Sequence, residues 1–157
     1  ETSGIDGTVA YSTAFGEVDV GLRANVTWVE KLNLFFDPTD PTVVNPELKE
    51  IQRPEWSGTA GINLGYQGFG FGYRLQYLGE MTIAGVEIET ADVRAGPAGF
   101  NDETFIHDIS LSYDVDDNYE LFGGVNNLTD EKPFRNSFAY PVNPYGRYYY
   151  IGLQASF

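Results

Sequence analysis

The sequence is poor in several residue types that mark common classes of protein. Cysteine is absent from its 157 residues, and methionine and histidine each occur once. The absence of cysteine fits an oxidising cell envelope, where stray thiols are a liability. No stretch approaches the roughly 20 consecutive apolar residues that a transmembrane helix requires, so the sequence excludes a span of that kind.

Positive charge is also scarce. Nine Lys and Arg residues stand against 23 Asp and Glu residues, which gives a formal net charge of −14. Such a charge argues against a nucleic acid as partner, because the phosphate backbone is itself anionic. It also argues against strong attraction to anionic lipid head groups, except at local Lys or Arg sites.

Glycine and aromatic residues are abundant instead. The chain has 18 Gly, 11 Tyr and 11 Phe, and glycine exceeds its usual share of ~7%. This mixture suits short strands and tight turns. The mean hydropathy of −0.27 does not exclude a membrane β-barrel, because half of each barrel strand faces water in the lumen.

The last ten residues form the most informative segment. Counting back in steps of two from the end gives an apolar set, and the intervening residues are smaller and more polar, as on the two faces of a strand. This ending resembles the C-terminal assembly signal of bacterial outer-membrane proteins, which asks for a glycine followed by two hydrophobic positions. Gly152, Ala155 and Phe157 fill these three positions.

Alternation of apolar and polar residues continues along the rest of the chain and predicts an all-β fold of seven strands. Most of these segments keep the alternation for about ten residues, which suits a tilted bilayer crossing. The predicted strands are residues 4–12, 17–36, 56–66, 68–81, 103–114, 119–128 and 146–157.

Short and long connections alternate strictly between these strands. The long ones are residues 37–55, 82–102 and 129–145, and the others are turns of a few residues. A membrane barrel with tight periplasmic turns and long outer loops has this pattern. Seven antiparallel strands are an odd number, whereas bacterial single-chain barrels have an even one, so we expect a C-terminal piece of a larger barrel. A strand missed within residues 86–93 would instead allow a small self-contained barrel of about eight strands with a structural, adhesive or pore role.

One segment gives the resemblance a specific form. Residues 119–133 resemble the penultimate strand of TonB-dependent receptors, with the motif Val-Asn-Asn-Leu followed by Thr129, where that family often has Phe, and then by Asp. The family continues with a long outer loop, a Gly-Arg-aromatic start such as Gly146-Arg147-Tyr148, and a terminal Phe. The resemblance covers essentially the whole chain and is strongest over residues 104–157.

The resemblance implies an antiparallel transmembrane segment of a 22-stranded barrel in the bacterial outer membrane. Such receptors take up scarce ligands such as iron–siderophore complexes, cobalamin or glycans, using energy passed through TonB. The implied partners are the plug and the other barrel strands, outer-membrane lipid, the barrel-assembly machinery, and TonB only through the plug. No residue of this chain matches a plug domain or a TonB box, so residues 1–157 correspond to barrel alone.

Two sets of residues are candidates for contact with a ligand. The first set faces inward on the polar faces of the predicted strands and consists of Arg23, Arg74, Gln76 and Asp108. These side chains either line a ligand path or pair with one another and with the plug. The second set consists of aromatic residues of the last long loop, Phe134, Phe138, Tyr140 and Tyr145. These rings either contact a ligand, pack the loop or belong to the aromatic girdle at the membrane interface.

The remaining candidates favour structural roles. The Asn126–Asp130 motif is expected to satisfy backbone groups where a strand leaves the bilayer. Acidic residues of the first long loop are expected to keep that loop soluble. His107 has the parity of the lipid-facing set, whereas Ser110 and Ser112 have the opposite one, which argues against hydrolytic catalysis. We therefore predict no enzyme activity, no cofactor and no metal site. A soluble barrel with the two faces exchanged is a third interpretation.

Overall fold

The structure is a computed structural model that describes residues 1–37, 39–82, 100–134 and 140–156. This part of the chain contains strands and connecting segments, and no helix in it is long and apolar enough to cross a membrane. The strands are β1 (Thr2–Phe15), β2 (Val18–Phe35), β3 (Val44–Pro46), β4 (Trp56–Tyr66), β5 (Phe69–Leu78), β6 (Met81–Thr82), β7 (Phe100–Asn101), β8 (Thr104–Asp116), β9 (Tyr119–Asn126) and β10 (Tyr148–Ala155).

Seven long strands form one antiparallel meander in which each strand pairs with the next along the chain, in the order β1-β2-β4-β5-β8-β9-β10. The short strand β3 pairs with the last residues of β2, and β6 pairs with β7 as a separate ribbon. Within the described residues no ladder joins β1 to β10, so these two strands are the edges of an open sheet.

The register keeps all apolar sets on one face of the sheet. A single row crosses all seven strands on this face, and it consists of Tyr11, Leu22, Ile62, Tyr73, Ile109, Val125 and Tyr149. Because a shift of one residue would turn a strand over, the alternation in the sequence fixes this register. The opposite face carries mainly small and polar residues in the middle of the sheet, and the rings of Phe122 on β9 and Tyr150 on β10 are exceptions.

The apolar face is not covered by any part of the described chain. Ile151 is 85% exposed and Val9 is 69% exposed, and both belong to this face. The few buried apolar residues lie instead at the long-loop end, where Leu78, Met81 and Phe134 pack together. A continuous apolar surface of this size needs an apolar environment outside the chain.

Two belts of aromatic residues border the apolar face. At the long-loop end Trp28 packs on Trp56 with ring centroids 5.9 Å apart, and Tyr77 packs on Phe105 at 5.1 Å. At the short-turn end Phe69 packs on Tyr113 at 4.4 Å. Phe69 and Tyr77 lie eight residues apart on β5, which is about 27 Å along the strand. This spacing matches the apolar band of about 25 Å between the aromatic girdles of outer-membrane barrels.

The predicted seven-strand, all-β fold is confirmed, and the prediction for β4 has the observed bounds. Corrections concern the ends of strands. β1 is longer than predicted because pairing with β2 continues beyond the alternating segment, and β5 ends at Leu78 because Gly79 and Glu80 interrupt it. The three short strands were not predicted. The alternative strand at residues 86–93 lies outside the described residues.

Candidate functional site

The four residues predicted to line the lumen all lie on the polar face of the sheet. Arg23 on β2 and Arg74 on β5 occupy one row, with Gly61 of β4 between them, and Asp108 of β8 continues that row. Gln76 lies one row nearer the long loops. Strand parity and strand pairing together therefore bring these four side chains onto one patch of the seven-stranded sheet, which we call the wall.

Arg74 and Asp108 form an ion pair across neighbouring strands. The Nη2 and Nε atoms of Arg74 donate to the same Asp108 oxygen, Oδ2, at 2.7 and 3.1 Å. The other oxygen, Oδ1, accepts the backbone N–H of Asn127 at 2.8 Å. The Arg74 side chain is 65% exposed and that of Asp108 is 16% exposed. The positive member of the ion pair is therefore the more accessible of the two.

Arg23 differs from Arg74 in its contacts with the part of the chain that the structure describes. Its side chain is exposed, and among the described residues it makes no ion pair or hydrogen bond. The row between the two arginines is empty because Gly61 carries no side chain. Arg23 and Arg74 are thus similar charges in different settings on the same wall.

The segment after β9 is anchored by Asn127, which is 5% exposed. Its amide nitrogen donates to the Glu131 carbonyl and its amide oxygen accepts the Glu131 N–H, both at 2.8 Å. Asn127 has φ +54°, a left-handed conformation that asparagine tolerates better than most residues. The prediction that this motif satisfies backbone groups is confirmed, since one side chain closes the turn in both directions.

Asp130 joins this turn to the start of β10. Its carboxylate accepts Lys132 Nζ at 2.6 Å and the backbone N–H of Arg147 at 3.0 Å. The hydrogen bond from Lys132 is the largest cause that holds the pKa of Asp130 below its usual value of 3.8, and the hydrogen bond from the N–H of Arg147 acts in the same direction. Gly146, with φ +71°, lies against this carboxylate, and a side chain there would collide with it. Asp130 therefore joins the beginning of the last long connection (129–145), which we call the last outer loop, to the residue that follows its end.

Two of the four predicted aromatic contacts pack the loop. Phe134 is 8% exposed and meets Tyr140 edge-on, with ring centroids 5.7 Å apart. The hydroxyl of Tyr140 donates to the sulfur of Met81 at 3.5 Å, and burial raises the pKa of this tyrosine. Phe138 lies outside the described residues. Tyr145, by contrast, is 87% exposed.

Tyr145 and the Arg74–Asp108 ion pair line the same cleft. This cleft lies between the polar face of the sheet and the last outer loop, and we call it the wall–loop cleft. Its volume is about 370 Å³. The wall contributes Arg74, Gln76 and Asp108, and the chain from Pro141 onward contributes Val142, Tyr145 and Tyr148. Three of the four predicted lumen residues and one of the four predicted loop aromatics thus share one concave site, whereas Arg23 lies outside it.

Ion pairs hold the first long loop, both within the loop and to Glu80, which follows β5. Lys49 forms ion pairs with Glu55 at 3.2 Å and with Glu80 at 2.9 Å. The hydrogen bond to Glu80 is the largest cause that raises the pKa of Lys49. Arg53 pairs with both Glu47 and Glu50. The described residues contain no group of three or more His, Asp or Glu side chains that could hold a metal ion.

His107 lies on the apolar face, as predicted, in the same row as Leu75. Its Nδ1 is 2.8 Å from the hydroxyl of Tyr73. Ser110 and Ser112 lie on the opposite face, where they pair with Gly72 and Gly70. The described residues therefore do not bring the single histidine next to either of these serines.

The predicted assembly-signal residues lie on β10. Gly152 is covered by the ring of Phe122, and a side chain at position 152 would collide with that ring. Ala155 pairs with Tyr119 at the end of the last ladder. Phe157 lies outside the described residues, so its part in assembly stays a prediction.

Sequence reasoning did not foresee how Asp108 and Asn127 are joined. The Asn-Asn-Leu-Thr-Asp motif indicated a local turn, but nothing in the sequence pairs residue 127 with a strand residue 19 positions earlier. Parity does place Asp108 beside Arg74, and an inward acid opposite an inward base is a signal that could have predicted their ion pair.

Comparison with known proteins gives a family model and a set of solved structures. The model described as "TonB dependent receptor-like, beta-barrel" matches residues 1–128. A ferric enterobactin receptor mutant from Pseudomonas aeruginosa in complex with enterobactin is similar in fold, with a TM-score of 0.65 and 16% identity. A second mutant of that receptor has a TM-score of 0.64 and 15% identity.

Both alignments cover 99% of this chain and 22% of the receptor, so the chain spans about a fifth of the length of these structures. No curated protein matches the sequence. The family match ends at Leu128 and therefore does not include β10.

Proposed function

Because the chain belongs to the family of TonB-dependent receptor-like β-barrels, we propose that it forms part of the barrel wall and outer loops of a receptor that takes up a scarce ligand. The family consists of receptors and transporters of the outer membrane, not of enzymes. For this chain the proposal places the apolar face in outer-membrane lipid and the polar face toward the interior of the barrel.

The observation that carries the proposal is the difference between the two faces of the sheet. One face is apolar across all seven strands and bordered by two aromatic belts, and the other carries glycine, serine, asparagine and paired charges. A soluble barrel with exchanged faces would leave both belts inside a cavity, where two rows of rings at opposite ends serve no packing purpose.

The proposal includes partners that complete such a receptor. The open edges at β1 and β10 require further strands, since unpaired backbone groups in lipid cost several kcal/mol each. Further barrel strands, up to 22 in all, and a plug would supply the rest, TonB would act through the plug, and the barrel-assembly machinery would recognise the end of β10. A self-contained small barrel would require β1 to pair with β10.

An iron–siderophore complex is the ligand class we propose first, because the similar structures are ferric enterobactin receptors. The test is uptake of radioactive iron from a panel of ferric siderophores, ferric enterobactin among them, by cells with and without the receptor that contains this chain. We expect uptake of at least one complex to require both the receptor and TonB. Uptake that persists without TonB would contradict the transport mechanism, and a panel without any substrate would contradict the ligand class.

A further inference from the structure

The wall–loop cleft has the chemistry of a binding site for one end of a ligand. It is concave, it is formed by two segments far apart in sequence, and both segments are fixed by buried or paired polar groups. Resting on the proposed receptor function, we propose that this cleft binds an anionic, ring-bearing group of the ligand, with Arg74 as the anion-binding residue and Tyr148 as the ring-binding residue.

Arg74 retains the part of its guanidinium that recognises a planar anion. The Nε–Nη2 edge is occupied by Asp108, and Nη1 has no partner among the described residues. The Nη1–Nη2 edge therefore keeps free N–H groups, and two parallel donors of this kind match the two oxygens of a carboxylate. Among the described residues that line the cleft, Arg74 is the only cationic one.

Asp108 fixes this guanidinium without competing for the ligand. Both of its oxygens are already engaged, Oδ2 by Arg74 and Oδ1 by the backbone N–H of Asn127. Its side chain is 16% exposed against 65% for Arg74, so an approaching anion meets the positive group first. Asp108 is thus a positioning residue, which orients Arg74 and ties it to the turn that begins the last outer loop.

The other lining residues favour a flat group beside the anion. Tyr148 is 58% exposed, and its ring stacks on Tyr150 with centroids 6.4 Å apart and planes inclined by 18°. Ile106 and Val142 supply a buried apolar surface, and Tyr145 stands at the opening with 87% of its surface exposed. The Gln76 amide adds a donor and an acceptor. A volume of about 370 Å³ holds a substituted ring and not a whole large ligand.

The test uses the complete receptor in detergent and three probes that separate the two parts of the proposed chemistry. 4-Bromobenzoate has a ring and an anion, 4-bromobenzyl alcohol has the ring alone, and inorganic phosphate has the anion alone. We expect 4-bromobenzoate to bind at least tenfold more tightly than either of the others, and anomalous scattering from crystals soaked with it to place bromine in the cleft. Equal binding of the ring-only probe would overturn the anion-binding role of Arg74.

Arg23→Gln is a matched control for Arg74→Gln. Both change an exposed arginine in the same row of the polar face, but only Arg74 lines the cleft. We expect Arg74→Gln to weaken binding of 4-bromobenzoate at least tenfold, Tyr148→Ala to weaken it severalfold, and Arg23→Gln to leave it unchanged. Equal losses for both arginine variants would mean a general effect of wall charge and would overturn the site.

Asp108→Asn tests positioning apart from charge. This variant keeps an oxygen for the N–H of Asn127 but turns an amide NH2 toward Arg74, and this group cannot accept hydrogen bonds from the guanidinium. Because Arg74 then loses the contact that orients it, we expect weaker binding of 4-bromobenzoate and unchanged weak binding of 4-bromobenzyl alcohol. Loss of both would indicate a merely structural role and would contradict the positioning claim.

Failure of the cleft and failure of the receptor function have separate signatures. If TonB-dependent uptake occurs and Arg74→Gln binds the probe like wild type, the cleft proposal fails alone. If the probe binds in the cleft but intact cells take up no ligand, the transport proposal fails and the site stands.

Discussion

The seven-stranded wall and the last outer loop are held together by different physics. The wall consists of repeated ladder pairs in which many residues do the same thing, and no part of the described chain covers its apolar face. The loop depends on single contacts that occur once each, at Asn127, at Asp130 and at the ring of Phe134. The wall should therefore tolerate most single substitutions but not a charge placed on its apolar face. The loop should lose its structure when one of its anchoring side chains is removed.

The largest effect is expected from a charge placed on the lipid face of the wall. Ile109 belongs to the central apolar row, so Ile109→Lys should destabilise the inserted receptor by about 2–4 kcal/mol, as lysine does near the bilayer midplane. Denaturant unfolding in lipid vesicles measures the change.

Ser110→Lys is the control, because residue 110 is the next residue on β8 and faces the polar side between Gly72 and Gly124. Its cost should stay within about 0.5 kcal/mol, as for a surface substitution. Equal costs for the two variants would show that the two faces do not differ in environment.

Loss of the terminal aromatic residue should affect the wall at the stage of insertion. We expect Phe157→Ala to lower the amount of receptor in the outer membrane severalfold while ligand affinity per inserted molecule stays unchanged, because Phe157 belongs to the predicted assembly signal and to neither candidate set of ligand contacts. Phe15→Ala removes a ring that is 69% exposed at the short-turn end, and serves as control. Normal membrane levels of the Phe157 variant would contradict the assembly-signal interpretation.

A smaller and local effect is expected from the loop anchor. Asn127→Gly keeps a residue that accepts φ +54° but removes the amide that bonds Glu131 in both directions. Loss of these buried hydrogen bonds should cost about 1–3 kcal/mol. Hydrogen exchange should therefore rise in the last outer loop and not in the strand ladders.

Asn126→Ala is the comparison, since that neighbouring side chain is exposed and makes no hydrogen bond among the described residues. Its effect should remain within about 0.5 kcal/mol. Faster exchange throughout β8 and β9 in the Asn127 variant would refute a local anchor.

The smallest effect concerns pH at the same anchor. Lys132 and the N–H of Arg147 lower the pKa of folded Asp130 below 3.8. A depressed carboxyl pKa stabilises the fold above the unfolded value, and this contribution disappears as the pH falls through the folded value. Wild type should therefore exchange more slowly than Asp130→Asn in the last outer loop at pH 5 and 7. The difference should shrink as the pH falls below 3.8 and vanish only below the pKa of the folded protein. A constant difference at every pH would exclude this carboxylate as the cause.

The sequence predicts the wall well because its signal is repeated. Alternation over ten residues identifies a strand and its faces, so the positions of Arg23, Arg74 and Asp108 on the polar face followed from parity alone. Strands β3, β6 and β7 have two or three residues, which is too short for a period of two to show. The loop was less predictable. Phe134 packs on Leu78 and Met81, which lie more than 50 residues earlier, and no local pattern announces such a contact.

The orientation of the wall is the central claim, and the most direct test labels one strand residue by residue. The chain has no cysteine, so once any cysteine elsewhere in the receptor has been replaced, single cysteines can be introduced at residues 105–113 of β8 and spin-labelled in lipid vesicles. Accessibility to oxygen, which concentrates in lipid, and to a water-soluble nickel chelate is then measured at each position. We predict that residues 105, 107, 109, 111 and 113 favour oxygen and that the intervening residues favour the chelate. A pattern without a period of two, or with the two sets reversed, would contradict the account.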